Sequence, residues 1–212
     1  MTSPRPGVIP SAGRDLLPLS GTVLIVLLWS AIHPHDRFTW FLEVAPVLFV
    51  FPILYVTRHR FPLTRLTYVL LTLHAVILMV GGKYTYAEVP LGYWLQDALG
   101  FSRNHYDRIG HFAQGFVPAV LAREVLVRTS PLRGSRWLPF VVISICLAFS
   151  AFYELIEWWT AVGTGEAATA FLGTQGDVWD TQWDMFLATI GAITSLLLLS
   201  RVHDRALRVL GH

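Results

Sequence analysis

Three short stretches of the chain gather ionisable side chains at helical spacing. The first runs His105-Tyr106-Asp107-Arg108-Ile109-Gly110-His111, where Asp107 and His111 are four residues apart and share one face of a helix. The second is Tyr153-Glu154-Leu155-Ile156-Glu157, whose two acids share a face at a spacing of three. The third is Asp177-Val178-Trp179-Asp180-Thr181-Gln182-Trp183-Asp184, whose acids form one stripe if the helix begins by Asp177. Imidazoles and carboxylates so placed can hold a divalent cation, or can move protons as general acids and bases.

The candidate metal ligands are His105, His111, Glu154, Asp177, Asp180 and Asp184, with Asp107 or Glu157 as the base that activates a water. Lys83, Tyr84, Tyr86, Arg103 and Arg108 are candidates for holding a substrate, the cations through a phosphate. The five acids Glu154, Glu157, Asp177, Asp180 and Asp184 have no Arg or Lys beside them on their own two segments, so a balancing charge is required. A divalent ion (Zn, Mn, Mg or Ca) would supply it. Protonation of some of the acids is the alternative. For single residues simpler roles compete: Asp107 in a salt bridge with Arg103 or Arg108, and Asp177 or Asp180 as caps of a helix N-terminus.

The elements that position these residues are membrane spans. The chain has 212 residues, of which 54% are apolar and 14% charged, and its mean hydropathy is +0.52, whereas soluble domains are roughly a quarter charged. Six segments approach the length that a bilayer core requires: approximately 16–32, 38–56, 64–82, 108–128, 137–160 and 183–200. The expected architecture is an all-α polytopic membrane bundle, with a tail over 1–15, one transmembrane domain over 16–200 and a second tail over 201–212. The first apolar stretch is too long for the core of a signal peptide and has no small-x-small cleavage pattern after it, so it reads as an uncleaved anchor.

Orientation follows from the basic residues. Twelve Arg lie in the two tails and the second and fourth connections, against four Arg or Lys on the other side. With the acids included the two sides carry about +9 and −7. The basic side is cytoplasmic, which places both termini inside and requires an even number of spans. All three polar stretches then lie at the outer face, toward the periplasm or exterior. Trp29, Trp40, Trp94, Trp158, Trp159, Trp179 and Trp183 fall at outer ends and Trp137 at an inner end, the pattern of an interfacial belt. Between Lys83 and Asn104, Pro90 can open a short helix whose Leu91, Trp94, Leu95, Ala98 and Leu99 form an apolar face, expected to lie in the interface and partly roof the bundle. The connection from Ala161 to Gln182 has no Lys or Arg and contains Gly163, Gly165, Gly173 and Gly176.

Cys146, the single cysteine, excludes a disulfide within the chain and reads as a small core residue. His33, His35, His59, His74, His203 and His212 carry no predicted chemistry, although His74 falls in mid-span. No nucleic-acid partner is expected. The sequence does not specify self-association.

Longer strings carry a family resemblance. Gly82 to Leu91 (GKYTYAEVPL), Arg103 to Arg108 (RNHYDR), His111 to Phe116 (HFAQGF), Glu154 to Trp158 (ELIEW) and Gly173 to Met185 (GTQGDVWDTQWDM) together resemble the YjdF family of bacterial inner-membrane proteins, over about residues 19–210. The resemblance implies class and inner-membrane location and names no reaction. A fainter similarity, confined to the second half, is to VanZ-like proteins, which also place an Asp-x-x-x-His pair on one span and acids at the start of a later one. It implies work at the cell envelope.

Three functions fit these observations. One is a metal-dependent hydrolase or transferase acting on a lipid or lipid-linked envelope substrate. Against particular templates, Ser102-Arg103 lies too close to His105 for the membrane-phosphatase pattern. The Asp stripe lacks the Asp-Gly and Ala-Arg elements of CDP-alcohol transferases, and neither Gly-x-Ser-x-Gly nor His-Glu-x-x-His occurs. The second function is an ion- or proton-coupled transporter, which ranks lower because the polar groups sit at one face and no inverted repeat is evident. The third is a non-catalytic envelope or assembly protein.

Overall fold

The computed structural model of the chain describes residues 11–165, 169–172 and 174–211, and all regular structure in them is helical. The order is α1 (Ser11–Ala31), α2 (Arg37–Thr57), α3 (Arg65–Tyr84), a 3-10 turn (Tyr86–Glu88), α4 (Pro90–Leu99), α5 (Tyr106–Thr129), α6 (Trp137–Thr164), the single turn α7 (Thr169–Leu172) and α8 (Asp180–Val209). Among the described residues, four helices are long and apolar enough to cross a membrane: α2, α3, α6 and α8. In α1 the apolar portion is the shorter Pro18–Ala31. The 24-residue α5, which carries Asp107, Arg108, His111, Arg123, Glu124 and Arg128, is too polar to qualify on composition. The protein is a polytopic membrane helix bundle.

Local chemistry sets the helix ends. Asp36 caps α2 by accepting the Thr39 backbone N–H at 2.6 Å, and that hydrogen bond is the main reason its carboxyl titrates below the usual range. Thr64 caps α3 in the same way. Pro90 opens α4 where its missing N–H has no cost, and Gly100, at φ 69°, closes it in the left-handed conformation that glycine adopts without strain. The expected helix over 90–99 is present; of its apolar face, Leu91, Trp94 and Leu99 are exposed.

Other boundaries differ from expectation. α1 is already helical at Ser11, the first described residue, where residue 16 was expected, α6 continues to Thr164, and α8 runs from Asp180 to Val209 where 183–200 was expected. Hydropathy delimits the apolar core of such helices and misses polar turns that continue the same hydrogen-bond ladder at either end. Residues 1–10, Gly173 and His212 lie outside the described residues.

α5 and α8 form the most extensive helix pair, and α5 also packs on α3 and α6. Glycines allow the close approach: a Cβ on Gly115 would lie 1.7 Å from the Ala188 carbonyl oxygen, and one on Gly191 would lie 2.1 Å from that of Phe112. Such small residues bring backbones into contact where water supplies no driving force. Cys146 is fully buried in the cluster of Ala119, Leu138, Val142 and Ala192. Trp29, Trp94, Trp137, Trp158, Trp159, Trp179 and Trp183 are exposed on the bundle surface; Trp40 instead donates its indole N–H to Ser30 Oγ at 3.0 Å.

Candidate functional site

The α5–α8 pairing brings the first turns of both helices together with the last turns of α6. His111 stands at the centre. Its Nε2 is 3.3 Å from Asp107 Oδ1, one turn earlier on α5, and 3.8 Å from Asp184 Oδ2 on α8. Its Nδ1 lies 4.0 Å from Glu154 Oε1 on α6. Ligand atoms of Asp107, His111 and Asp184 fall within 4.8 Å of one another, and those of His111, Glu154 and Glu157 do the same. Three atoms in these two groups are buried without a hydrogen-bond partner: Asp107 Oδ2, His111 Nδ1 and Glu154 Oε1. Buried polar atoms rarely stay unsatisfied, because each costs roughly 1–3 kcal/mol.

Beside this cluster lies a charge clamp. Arg108 reaches Asp177 Oδ2 at 3.0 Å and Asp180 Oδ1 at 2.8 Å through one nitrogen and bonds Asp184 through another. Arg103 joins from the preceding loop, 2.9 Å from Asp180 Oδ1, and also donates to the Thr174 carbonyl. The counter-charge for the three α8-side acids is therefore supplied from the start of α5. Only Asp180 and Asp184 are on the helix; Asp177 lies in the turn before it and accepts the Trp179 backbone N–H at 2.9 Å. The acids of this stretch still converge, through Arg108 and not through a common helical stripe.

A cavity of about 300 Å³ opens from the same cluster and runs between α2, α3, α5 and α6. Its polar end holds Glu43, Tyr86, Asp107, His111, Tyr153 and Glu157, and the rest of its wall is largely apolar. Glu43 enters from α2, buried, and accepts a hydrogen bond from the Tyr153 hydroxyl at 3.2 Å. Tyr86 is seated by missing side chains, since a Cβ at Gly81 or Gly110 would come within 2.3 Å and 2.5 Å of its ring. Burial and the acid Glu43 raise the Tyr86 hydroxyl well above the usual phenol range, so it stays protonated as a donor.

The chain matches the family described as "Predicted membrane protein (DUF2238)" over residues 16–205. It is 54% identical over 190 residues to "Inner membrane protein YjdF" of Escherichia coli (strain K12), an alignment covering 90% of this chain and 91% of the relative. The chain belongs to the DUF2238 family. It is accordingly a multi-pass protein of the inner membrane. No solved structure matches it.

In this family member the structure gathers His111, Asp107, Glu154, Glu157 and Asp184 into one cluster, and Asp177 and Asp180 into the clamp with Arg103 and Arg108. His105 belongs to neither group. It precedes α5, its ring stands edge-on to Phe101 at 4.9 Å, and burial, followed by the nearby Arg103 and Arg108, lowers its pKa. Lys83 is turned away: its ammonium donates to the Ile32 carbonyl at 2.6 Å and stands 4.8 Å from the Trp29 ring, holding the α1–α2 turn. Tyr84 packs near Trp29, with ring centroids 6.1 Å apart, while Tyr86 alone of the two tyrosines lines the cavity.

Sequence reasoning passed over Glu43, although an isolated acid six residues into an otherwise apolar helix was a usable signal. It also passed over a second buried network near the basic ends of the helices. There Glu124, fully buried, accepts from Thr64 N at 2.8 Å, Thr64 Oγ1 at 2.9 Å and Arg128 at 3.0 Å, and meets His203 Nε2 at 3.1 Å. His203, read from the sequence as having no chemical role, is completely buried against that carboxylate.

Proposed function

We propose that this protein is a membrane-embedded, metal-dependent hydrolase or transferase acting on a lipid or lipid-linked substrate at the outer leaflet. The observation that carries the reading is the set of buried atoms without a hydrogen-bond partner around one imidazole, His111 Nδ1, Glu154 Oε1 and Asp107 Oδ2, with His111, Asp107 and Glu157 lining the polar end of a mostly apolar cavity. Neutral imidazole has one lone pair, so the two faces of His111 divide the work. Nε2–H donates to Asp107, the carboxylate–histidine arrangement that fixes tautomer and ring orientation behind a metal ligand. Nδ1 is then the ligand, with Glu154 and Glu157 completing a three-residue set. A divalent ion there would polarise a carbonyl or phosphoryl oxygen and acidify a water.

Asp184 and Asp107 hold the imidazole from behind, and Arg108 neutralises Asp184 and fixes the α5–α8 geometry. Asp177 and Asp180 contribute through that clamp. Glu43, hydrogen-bonded to Tyr153 and facing the cavity, is placed to accept a proton from the attacking group. The protein architecture we propose adds α1 and α5 to the four apolar helices, giving six spans with both termini cytoplasmic, tails at 1–15 and 201–212 and α4 lying in the interface. Six long helices, the twelve-to-four distribution of basic residues and the exposed apolar face of α4 support it.

Elemental analysis of the detergent-purified protein tests the metal centre. Wild type reconstituted with Zn, Mn, Mg or Ca should retain one equivalent of one of them, Glu154→Ala and His111→Ala should retain none, and Asp180→Ala should retain it. A folded wild type with no stoichiometric metal under any of these conditions would remove this reading. One observation favours an ion-coupled transporter as a second: His74 Nε2, in the middle of α3, is buried without a partner and lines the same cavity, extending polar groups toward mid-membrane. Proton-linked flux in liposomes that disappears in His74→Leu would support that alternative.

A further inference from the structure

The cavity has a shape that the reaction centre alone does not explain. From His111 to Leu121 it follows α5 for ten residues, about 15 Å of helical rise, and Leu71 on α3 with Val50 and Phe51 on α2 lines the same stretch. A space of that length, bounded by side chains of α2, α3, α5 and α6, can take an extended hydrocarbon chain lengthwise. Its wall away from the cluster is built from Pro46, Val50, Phe51, Leu71, Leu121 and Phe149.

Apolar wall is ordinary on a helix facing lipid, but this surface is turned inward, between four helices, and most of its polar groups lie at one end, with His74 and Gln114 further along. Phe149 and Phe152 line the cavity and are also 64% and 52% exposed, so the cavity reaches the outer surface of α6, the surface that faces the bilayer. A ligand can enter sideways from the bilayer without crossing water.

We infer that the cavity binds a long aliphatic chain of a bilayer lipid, entering past Phe149 and Phe152, with the chain along Val50 and Leu121 and its polar head at Glu43, Tyr86 and Glu157. The substrate class of the proposed enzyme is then a membrane lipid held by an aliphatic chain, with its cleavable bond where that chain meets the head. This deepens the reading of the polar cluster as a reaction centre and rests on it for the chemistry, though chain binding can be measured without metal. Buried apolar surface supplies affinity and the cluster supplies register, because a chain alone could slide along the cavity. The same chain could belong to a glycerolipid or to a polyprenyl phosphate.

The test uses the full chain in lipid nanodiscs doped with one of two probes: a phosphatidylglycerol with a diazirine in mid-chain, or a diazirine-bearing polyprenyl phosphate. After illumination, labelled residues are mapped by peptide mass spectrometry. Labels are expected at Val50, Phe51, Leu71 or Leu121, and the probe that delivers them identifies the lipid. Val50→Trp and Leu121→Trp fill the cavity away from the cluster. Each should lower interior labelling at least tenfold, with labelling of the outer residues Phe49 and Leu197, the melting temperature and the metal content unchanged. Labels confined to outer residues with both probes, or interior labels that persist in both Trp variants, would overturn the inference. Interior labelling in a protein that takes up no metal would instead leave chain binding standing and refute the metal-centre reading, so the two failures are distinguishable.

Discussion

Removing Arg108 should destabilise the bundle more than any other single truncation at the end that holds the His111 cluster. The guanidinium is 14% exposed and donates hydrogen bonds to three carboxylates, of which Asp184 is 3% and Asp180 8% exposed, with Asp107 Oδ2 a fourth at 3.7 Å. In Arg108→Ala, Asp180 keeps Arg103 at 2.9 Å, and Asp184 is left with His111 at 3.8 Å. Breaking a buried pair by deleting one partner costs about 3–5 kcal/mol, most of it for the charge left behind. The neutralising second change therefore decides the mechanism. Arg108→Ala with Asp184→Asn should recover at least about 1.5 kcal/mol of the single variant's loss, the size of coupling expected for directly bonded groups. Arg108→Lys keeps the charge and loses the fork that reaches all three acids, so it should fall between wild type and alanine. Equilibrium unfolding in mixed micelles of a mild detergent and dodecyl sulfate, followed by circular dichroism and tryptophan fluorescence, measures each difference. An Arg108→Ala protein within about 0.5 kcal/mol of wild type, or a double variant that loses the sum of its single changes, would refute the clamp.

At the other end of the bundle, Glu124→Ala should cost about 3–5 kcal/mol in the same assay, because Arg128 and His203 lose their buried partner; Glu124→Gln, which preserves acceptance from the Thr64 amide, should cost visibly less, and equal losses would argue against that network. Gly115→Ala drives a methyl group to 1.7 Å from the Ala188 carbonyl oxygen, so α5 and α8 must separate; a loss of about 3 kcal/mol is expected and an unchanged melting temperature would contradict the close approach. Asp36→Ala should cost about 1 kcal/mol at pH 7 through the lost cap. Since the Thr39 amide lowers the folded-state pKa of Asp36, its contribution is present above the unfolded value near 3.9 and is lost as pH falls through the lower folded value. The difference between wild type and Asp36→Ala should therefore narrow in acid, and a gap independent of pH would show that the carboxylate is not the cap.

Membrane class, the rough position of the long helices and the short helix at Pro90 were legible because each depends on composition or on a local rule. A bilayer demands about 20 apolar residues per crossing, proline starts a helix and glycine ends one, and none of this requires knowledge of neighbours. The pairing of Asp107 with His111 was legible for the same reason, being fixed by the pitch of a single helix. Convergence of the three polar stretches followed one step further, from the cost of leaving charges against lipid.

What no spacing rule could supply was the assignment of partners. Arg108 lies beside Asp107 in the chain, yet its main partners are Asp177, Asp180 and Asp184, about 70 residues away, because glycines at 115 and 191 let α5 and α8 approach closely. Glu43 shares no local pattern with the other acids and meets them only where α2 and α6 close on Tyr153. His203 looks like one histidine in a basic tail until α8 turns it onto Glu124. Local sequence determines which groups a helix offers on each face, through pitch and solvation. Which of those groups meet, and which are left facing a cavity, depends on the distances between helices, and these are set by packing across the whole bundle.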